Sequence, residues 1–133
     1  MRKAIPVAVK QLVIARANAV CEYCKYPEED SFFVFHIEHI RSIKHGGTDD
    51  ESNLAYSCPP CNHAKGSDVG TFVGKEEVLV RLFHPRKDVW EDHFLWDGTR
   101  IVGTTLVGKA TVQLLKFNDV DRLVERQRII QLK

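Results

Sequence analysis

Nowhere in the 133 residues does an apolar run approach the roughly 20 residues that cross a bilayer. Nor does an apolar stretch follow the charged start Met1-Arg2-Lys3, as it would in a secretory signal. The expected location is therefore the cytoplasm, with no membrane partner. Internal repeats, low-complexity tracts and a clear linker are also missing. A chain of this length suits a single domain that buries roughly two-thirds of its unfolded surface. Basic excess is missing too: 19 Lys and Arg stand against 18 Asp and Glu, for a net charge of +1. A protein that only coats nucleic acid usually carries a strong positive surplus, so charge alone is a poor account of this chain. What charge there is lies unevenly. Arg2, Lys3, Lys10, Arg16 and Lys25 crowd the start, Glu28-Glu29-Asp30 and Asp49-Asp50-Glu51 are acidic runs, and Arg122, Arg126 and Arg128 mark the end.

No cysteine is left unpaired in the pattern. All four stand in two short motifs, Cys21-Glu22-Tyr23-Cys24 and Cys58-Pro59-Pro60-Cys61. Each motif brings two sulfurs onto one turn, and two such turns close a tetrahedron around one Zn²⁺. Four unrelated buried cysteines would be the bland alternative. A redox pair is weaker, since neither motif follows a βαβ pattern. In a reducing compartment paired cysteines act as thiolate ligands more often than as disulfides. The reading is a structural Zn²⁺ that clips the end of an N-terminal helix to the start of a later short one.

Local patterns set the elements. Pro6 can open a helix that runs to about Ala17, with Val9, Leu12, Val13 and Arg16 at helical spacing. Residues 32–37, aromatic and β-branched, predict a strand. His45-Gly46-Gly47 and the acidic run after it predict a loop, and residues 54–57 a short returning strand. A short helix is expected from near Asn62 to about Gly66. Further on, Asp97-Gly98 between two apolar stretches signals a hairpin. Residues 105–116 read as a helix, and a last helix starts at Asp119, with Arg126 and Arg128 in the later turns that the helix dipole favours. The C-terminal half is expected to pack onto the metal core.

Between the cysteine pairs lie the residues that bear chemistry. Glu38 and His39 are adjacent on the predicted strand, where neighbours point to opposite faces. They therefore cannot both ligate one ion. The carboxylate suits a hard divalent metal, and the imidazole is left to accept a proton. An isolated Glu-His pair is usually a surface feature; its surroundings give this one weight. His36-Ile37-Glu38-His39-Ile40, His45-Gly46-Gly47, Ser52-Asn53-Leu54-Ala55, Cys58-Pro59-Pro60-Cys61-Asn62 and Lys65-Gly66 follow in this order at close spacing. Over roughly residues 15–67 this resembles the HNH endonuclease family in its zinc-stabilised four-cysteine form. A looser likeness to small bacterial proteins of that kind runs on through Leu82-Phe83-His84-Pro85-Arg86, Trp90, His93-Phe94 and Gly108-Lys109-Ala110-Thr111.

The resemblance implies an α+β fold with a ββα-metal core over about residues 15–67 and an extension over 68–133. It implies a metal-dependent endonuclease cleaving nucleic acid, with DNA the expected target and 5′-phosphate and 3′-hydroxyl products. His39 would be the general base, and Asn53 the central asparagine that pins the loop. Asn62, nine positions after Asn53, would ligate one catalytic Mg²⁺ or Mn²⁺ beside Glu38, with the ion stabilising the phosphate. His63 competes for that third place, since on a helix the two residues point about 100° apart. His36 is placed beside the metal or at the surface. Lys65 is a neighbour of the metal site, a phosphate contact or a solvent-facing lysine, and His45 is a loop residue. Two departures are visible: Glu38 stands where the family more often has Asp, and Arg41-Ser42 lacks a common proline. No small-molecule cofactor is implied. The rival readings are a zinc-stabilised nucleic-acid-binding module without activity and a zinc-clipped protein-interaction domain. A pure binder, however, has no need of Glu38, His39, Asn53 and Asn62 together.

Overall fold

A computed structural model of the chain describes residues 4–75 and 77–132. Helix α1 spans Val7–Arg16, with Pro6 as its N-cap and the first helical bond running from Lys10 N to Pro6 O at 3.1 Å. Of its residues Val13 is the one buried fully, and Leu12, expected on the inner face, is exposed. Arg16 anchors the other end, donating to the carbonyls of Glu51 and Leu54 at 2.6 and 2.7 Å.

Strand β1 is His36–His39 and pairs antiparallel with β2, Leu54–Ser57, with Glu38 opposite Ala55 and His39 opposite Leu54. The strand is shorter than the aromatic run predicted, and residues 32–35 lie outside it. The partner sets this limit. Beyond Ser57 the chain must turn at Cys58 to serve the metal site, so no backbone is left for residues 32–35 to pair with. Their amides bond elsewhere: Phe33 N donates to Ser31 Oγ at 3.1 Å and Phe35 N to the Glu28 carboxylate at 3.1 Å. Phe32, Phe33 and Val34 are left exposed.

Helix α2, Pro59–Lys65, starts three residues earlier than expected, because Pro59 takes the first helical position and Cys58 the cap. It completes a ββα unit, β1-β2-α2, on which α1 packs. The first cysteine turn lies against the same hairpin. Glu22 N donates to Tyr56 O at 2.9 Å, and the Glu22 carboxylate accepts from Tyr56 N at 2.9 Å. In turn, the Arg86 guanidinium is ion-paired with Glu22.

The rest of the chain builds a second layer. A hairpin absent from the sequence reading joins β3 (Gly70–Phe72) to β4 (Leu79–Arg81). A single turn of helix, α3 (Trp90–His93), leads into β5 (Phe94–Asp97) and β6 (Arg100–Gly103). Asp97 pairs with Arg100, so the loop is Gly98-Thr99, one residue later than the Asp-Gly signal suggested. Gly98 is in the left-handed region at φ 61°, which a two-residue hairpin loop requires. Helix α4, Leu106–Leu114, is capped by Thr105, whose hydroxyl accepts from Gly108 N at 3.0 Å. Helix α5, Val120–Leu132, closes the chain. The fold is α+β, with three two-stranded antiparallel sheets among the described residues. No described helix is long and apolar enough to cross a membrane.

The C-terminal half does pack onto the cysteine core. Trp90 lies under it, its indole donating to Tyr23 O at 2.8 Å, with Phe94, Phe83 and Phe117 in contact behind. Arg126, expected to complement the dipole near the helix end, instead turns inward. It is buried, donates to Thr99 O at 3.0 Å and lies over the Trp96 ring. Trp90→Phe keeps the ring stack but orphans a buried carbonyl inside the first cysteine turn. It is expected to lower unfolding free energy by about 1–3 kcal/mol in urea titrations at saturating zinc.

Candidate active site and metal centre

All four cysteines are buried, and their sulfurs lie within 4.8 Å of one another. Cys24 and Cys58 Sγ are 3.6 Å apart, against the roughly 3.8 Å between sulfurs in a tetrahedron of Zn–S bonds of about 2.3 Å. The first turn is shaped for this purpose: Cys24 N points at Cys21 Sγ at 3.5 Å, and Lys25 N closes onto Cys21 O at 2.9 Å with Lys25 at φ 68°. Four buried thiols cannot all ionise unaided. Hydrogen bonds from Cys21, Cys58 and Cys61 pull the Cys24 thiol down, while burial pushes Cys61 up. A dication removes that conflict, and the donor set fits Zn²⁺. Among the described residues this is the one cluster of three or more His, Cys, Asp or Glu side chains that converge.

Arg122 reaches the cluster from α5. Its Nη2 donates to Cys61 Sγ at 3.0 Å and lies 4.0 Å from Cys58 Sγ, while Nη1 donates to Leu115 O at 3.0 Å. Neighbouring thiolates hold this guanidinium firmly protonated against the cost of its burial. Nothing in the sequence links residue 122 to a cysteine 61 positions away.

Above the zinc turns, strand β1 sends its two adjacent side chains to different environments. Glu38 points inward and is buried. One carboxylate oxygen accepts from the Tyr23 hydroxyl, and the other accepts from Lys65 Nζ at 3.0 Å. Burial pushes the Glu38 carboxyl up, and the Lys65 ammonium pulls it back. Lys65 is itself 2% exposed, and its Nζ also donates to His39 O at 3.0 Å. The solvent-facing reading of Lys65 is therefore corrected: the side chain lies inward against Glu38. A buried carboxylate needs a counter-charge, and Lys65, on the last turn of α2, supplies it. With Tyr23 on one carboxylate oxygen and Lys65 on the other, Glu38 does not fit a divalent ion, because its counter-charge is supplied from within.

His39 occupies the other face, half-buried. Its Nε2 lies 2.8 Å from Asp49 Oδ1. The loop that delivers Asp49 is tightly built. Asn53 Oδ1 accepts from Arg41 N at 2.9 Å, and Asn53 Nδ2 donates to Arg41 O and Thr48 O at 2.9 and 2.8 Å. Ile40 N donates to Asn53 O at 2.8 Å, which ties the stapled loop to the residue after His39. Gly47 is needed where the chain doubles back, because a Cβ there would sit 1.7 Å from Arg41 O. Arg41 Nε bonds to His45 O at 2.5 Å, so His45 serves the loop through its backbone. Asn62 is half-buried on α2, His63 beside it is exposed, and His36 at the open end of β1 is exposed. The structure thus gathers Glu38, His39, Asn53 and Lys65 around one strand end and leaves His36 and His63 at the surface. Asp49 was missed, although it directly follows Gly46-Gly47-Thr48 in the sequence. Tyr23, hidden inside a cysteine motif, was missed as well.

The family model for HNH endonuclease matches residues 21–68, which hold both cysteine turns, β1, the stapled loop and α2. Residues 21–68 belong to the HNH endonuclease family. A wider likeness extends past this HNH segment. Septu protein PtuB of Bacillus thuringiensis is 28% identical over 127 residues, covering 94% of this chain and 47% of that protein. The chain thus spans about half the length of the curated relative that it matches. No solved structure matches it.

Two outcomes follow from the HNH segment's geometry. Arg122→Met should release zinc to a chelator about 10–100-fold more readily, the usual cost of losing a partner of the metal's ligands. A colorimetric chelator assay reads this. Lys65→Met leaves a buried carboxylate uncompensated and should cost about 3–5 kcal/mol. Glu38→Gln placed on top should recover part of that loss in the same urea titration.

Proposed function

We propose that this chain hydrolyses phosphodiester bonds of nucleic acid, with DNA as the target and His39 as the general base. The observation that carries this is the placement of His39 inside an HNH segment: a half-exposed imidazole at a strand end, on a backbone held from two sides. From below, Lys65 grips its carbonyl. From the side, the Asn53-stapled loop closes over the next residue. Phosphodiester hydrolysis needs a water deprotonated as it attacks, and a positioned imidazole does this at neutral pH. His39 takes that proton, and Asn53 acts through the loop to keep the ring aimed. Arg41 and Lys44 are exposed cations on this same loop. They contact phosphates and so hold the scissile bond over His39. Glu38 serves the site by fixing Lys65, and through it the His39 carbonyl. The C-terminal layer supports the zinc turns on which β1 and α2 rest.

The test is cleavage of supercoiled plasmid, single-stranded DNA and RNA, with Mg²⁺, Mn²⁺ and Ni²⁺ offered in turn. Nicked and linear plasmid run as separate bands. Wild type is expected to cut DNA, and His39→Ala to cut about 10²–10⁴-fold more slowly while binding it equally in a gel-shift at matched salt. A wild-type chain that binds every substrate and cuts none would make this a binding module instead.

A further inference from the structure

The chemistry proposed for His39 leaves open which ring nitrogen works, and the structure answers through a residue with no assigned role. We infer that Asp49 is the positioning residue of His39, holding the ring as its Nε2–H tautomer so that Nδ1 is the nitrogen that accepts the proton. A neutral imidazole has one donor nitrogen and one acceptor nitrogen. An aspartate carboxylate at neutral pH only accepts. With Oδ1 at 2.8 Å from Nε2, the proton of the neutral ring must sit on Nε2, and the free lone pair is on Nδ1. The pair is partly shielded, with side-chain exposures of 22% and 31%, so solvent competes less for the bond than at an open surface.

The loop geometry serves this contact. From Arg41 to Asn53 the chain makes a closed excursion, pinched where Gly47 passes Arg41 O and stapled by the three Asn53 side-chain bonds. Thr48, one residue before Asp49, is itself one of the stapled positions. The next residue, Asp50, caps the short turn Glu51–Asn53 by accepting from Ser52 N at 3.1 Å. Asp49 is therefore fixed on both sides in sequence, and its carboxylate is delivered to His39 by a rigid backbone. An exposed flexible loop would not hold a ring in one tautomer; this one is built to. When His39 takes a proton from water, the O–H bond breaks, an Nδ1–H bond forms, and the resulting imidazolium faces a carboxylate on its other nitrogen. Asp49 keeps its own charge throughout.

The inference rests on the nuclease reading for its kinetic consequence alone, because the tautomer is a property of the folded chain. Long-range ¹H–¹⁵N correlation spectra of zinc-loaded, ¹⁵N-labelled protein distinguish the two tautomers, and His39→Gln identifies the His39 signals. Wild type should show the Nε2–H pattern at a pH where the ring is neutral. Asp49→Ala should show a mixture, and Asp49→Glu should restore the single pattern in part. In cleavage assays Asp49→Ala should lower kcat by on the order of 10²-fold with KM unchanged, while zinc content stays at one per chain. Should Asp49→Ala fail to fold, Asp49→Asn keeps the shape while losing the acceptor-only character, and the same loss of a single tautomer is expected. An Nδ1–H pattern in wild type would overturn the inference, as would wild-type kcat in a folded Asp49→Ala. If wild type shows the Nε2–H pattern, lost in Asp49→Ala, yet cuts nothing, the tautomer assignment stands and the nuclease reading falls.

Discussion

Four thiolates packed together in a protein interior repel one another and have lost their water, so they persist only around a cation. That requirement places Cys21, Cys24, Cys58 and Cys61 within 4.8 Å, and most of the architecture follows from it. It stops β2 at Ser57, because Cys58 must turn. It starts α2 at Pro59, and it presses the first cysteine turn against the edge of β2 through Glu22. A two-stranded sheet alone is marginal in water, and the buried residues of β2 need neighbours to cover them. The zinc turns at one end and α1 at the other give it something to lie on.

A second constraint acts one layer up. The Glu38 carboxylate is out of water, with Tyr23 on one oxygen and Lys65 on the other. Removing either charge alone is costly in a way that removing both is not. The pair also specifies geometry. It fixes α2 relative to β1, and through the Lys65 bond to His39 O it fixes where the strand ends. The half-exposed imidazole thus stands on a buried ion pair, with the aspartate of a stapled loop at its edge. The general-base role proposed for His39 would need rigid support of this kind, because its contribution depends on holding an approach geometry.

The C-terminal half bears on the same centre. Trp90 bonds to the first cysteine turn, and Arg122 bonds to the second through Cys61. Both lie beyond residue 68, where the HNH match ends. The likeness to Septu protein PtuB covers nearly the whole chain, in keeping with an extension that is packed into the metal centre and not appended to it. Arg122 couples α5 to the sulfur of Cys61, so a metal held by the four cysteines would be linked to the last helix.

Much of this was readable from local pattern. Two Cys-x-x-Cys turns announce a metal, because spacing alone decides whether two sulfurs share a turn. The helices at the N-terminus, at residues 105–116 and after Asp119 are legible from periodicity and caps, and the hairpin near Gly98 from its turn. The strand at residues 32–37 was misjudged because its residues favour β structure, but a strand also needs a partner, and the metal had taken the partner's continuation. The burial of Lys65 against Glu38 was not legible, because nothing in a sequence says which carboxylate a lysine will find. Asp49, Tyr23 and Arg122 went unseen for the same reason: each acts across a distance in sequence that only folding closes. Composition and spacing determined that the chain would fold around a metal and carry a glutamate, a histidine and an asparagine in close order. The tertiary structure decided which of these face inward and what charges meet them, because burial makes a carboxylate seek a cation and leaves the histidine at the surface to seek an anion.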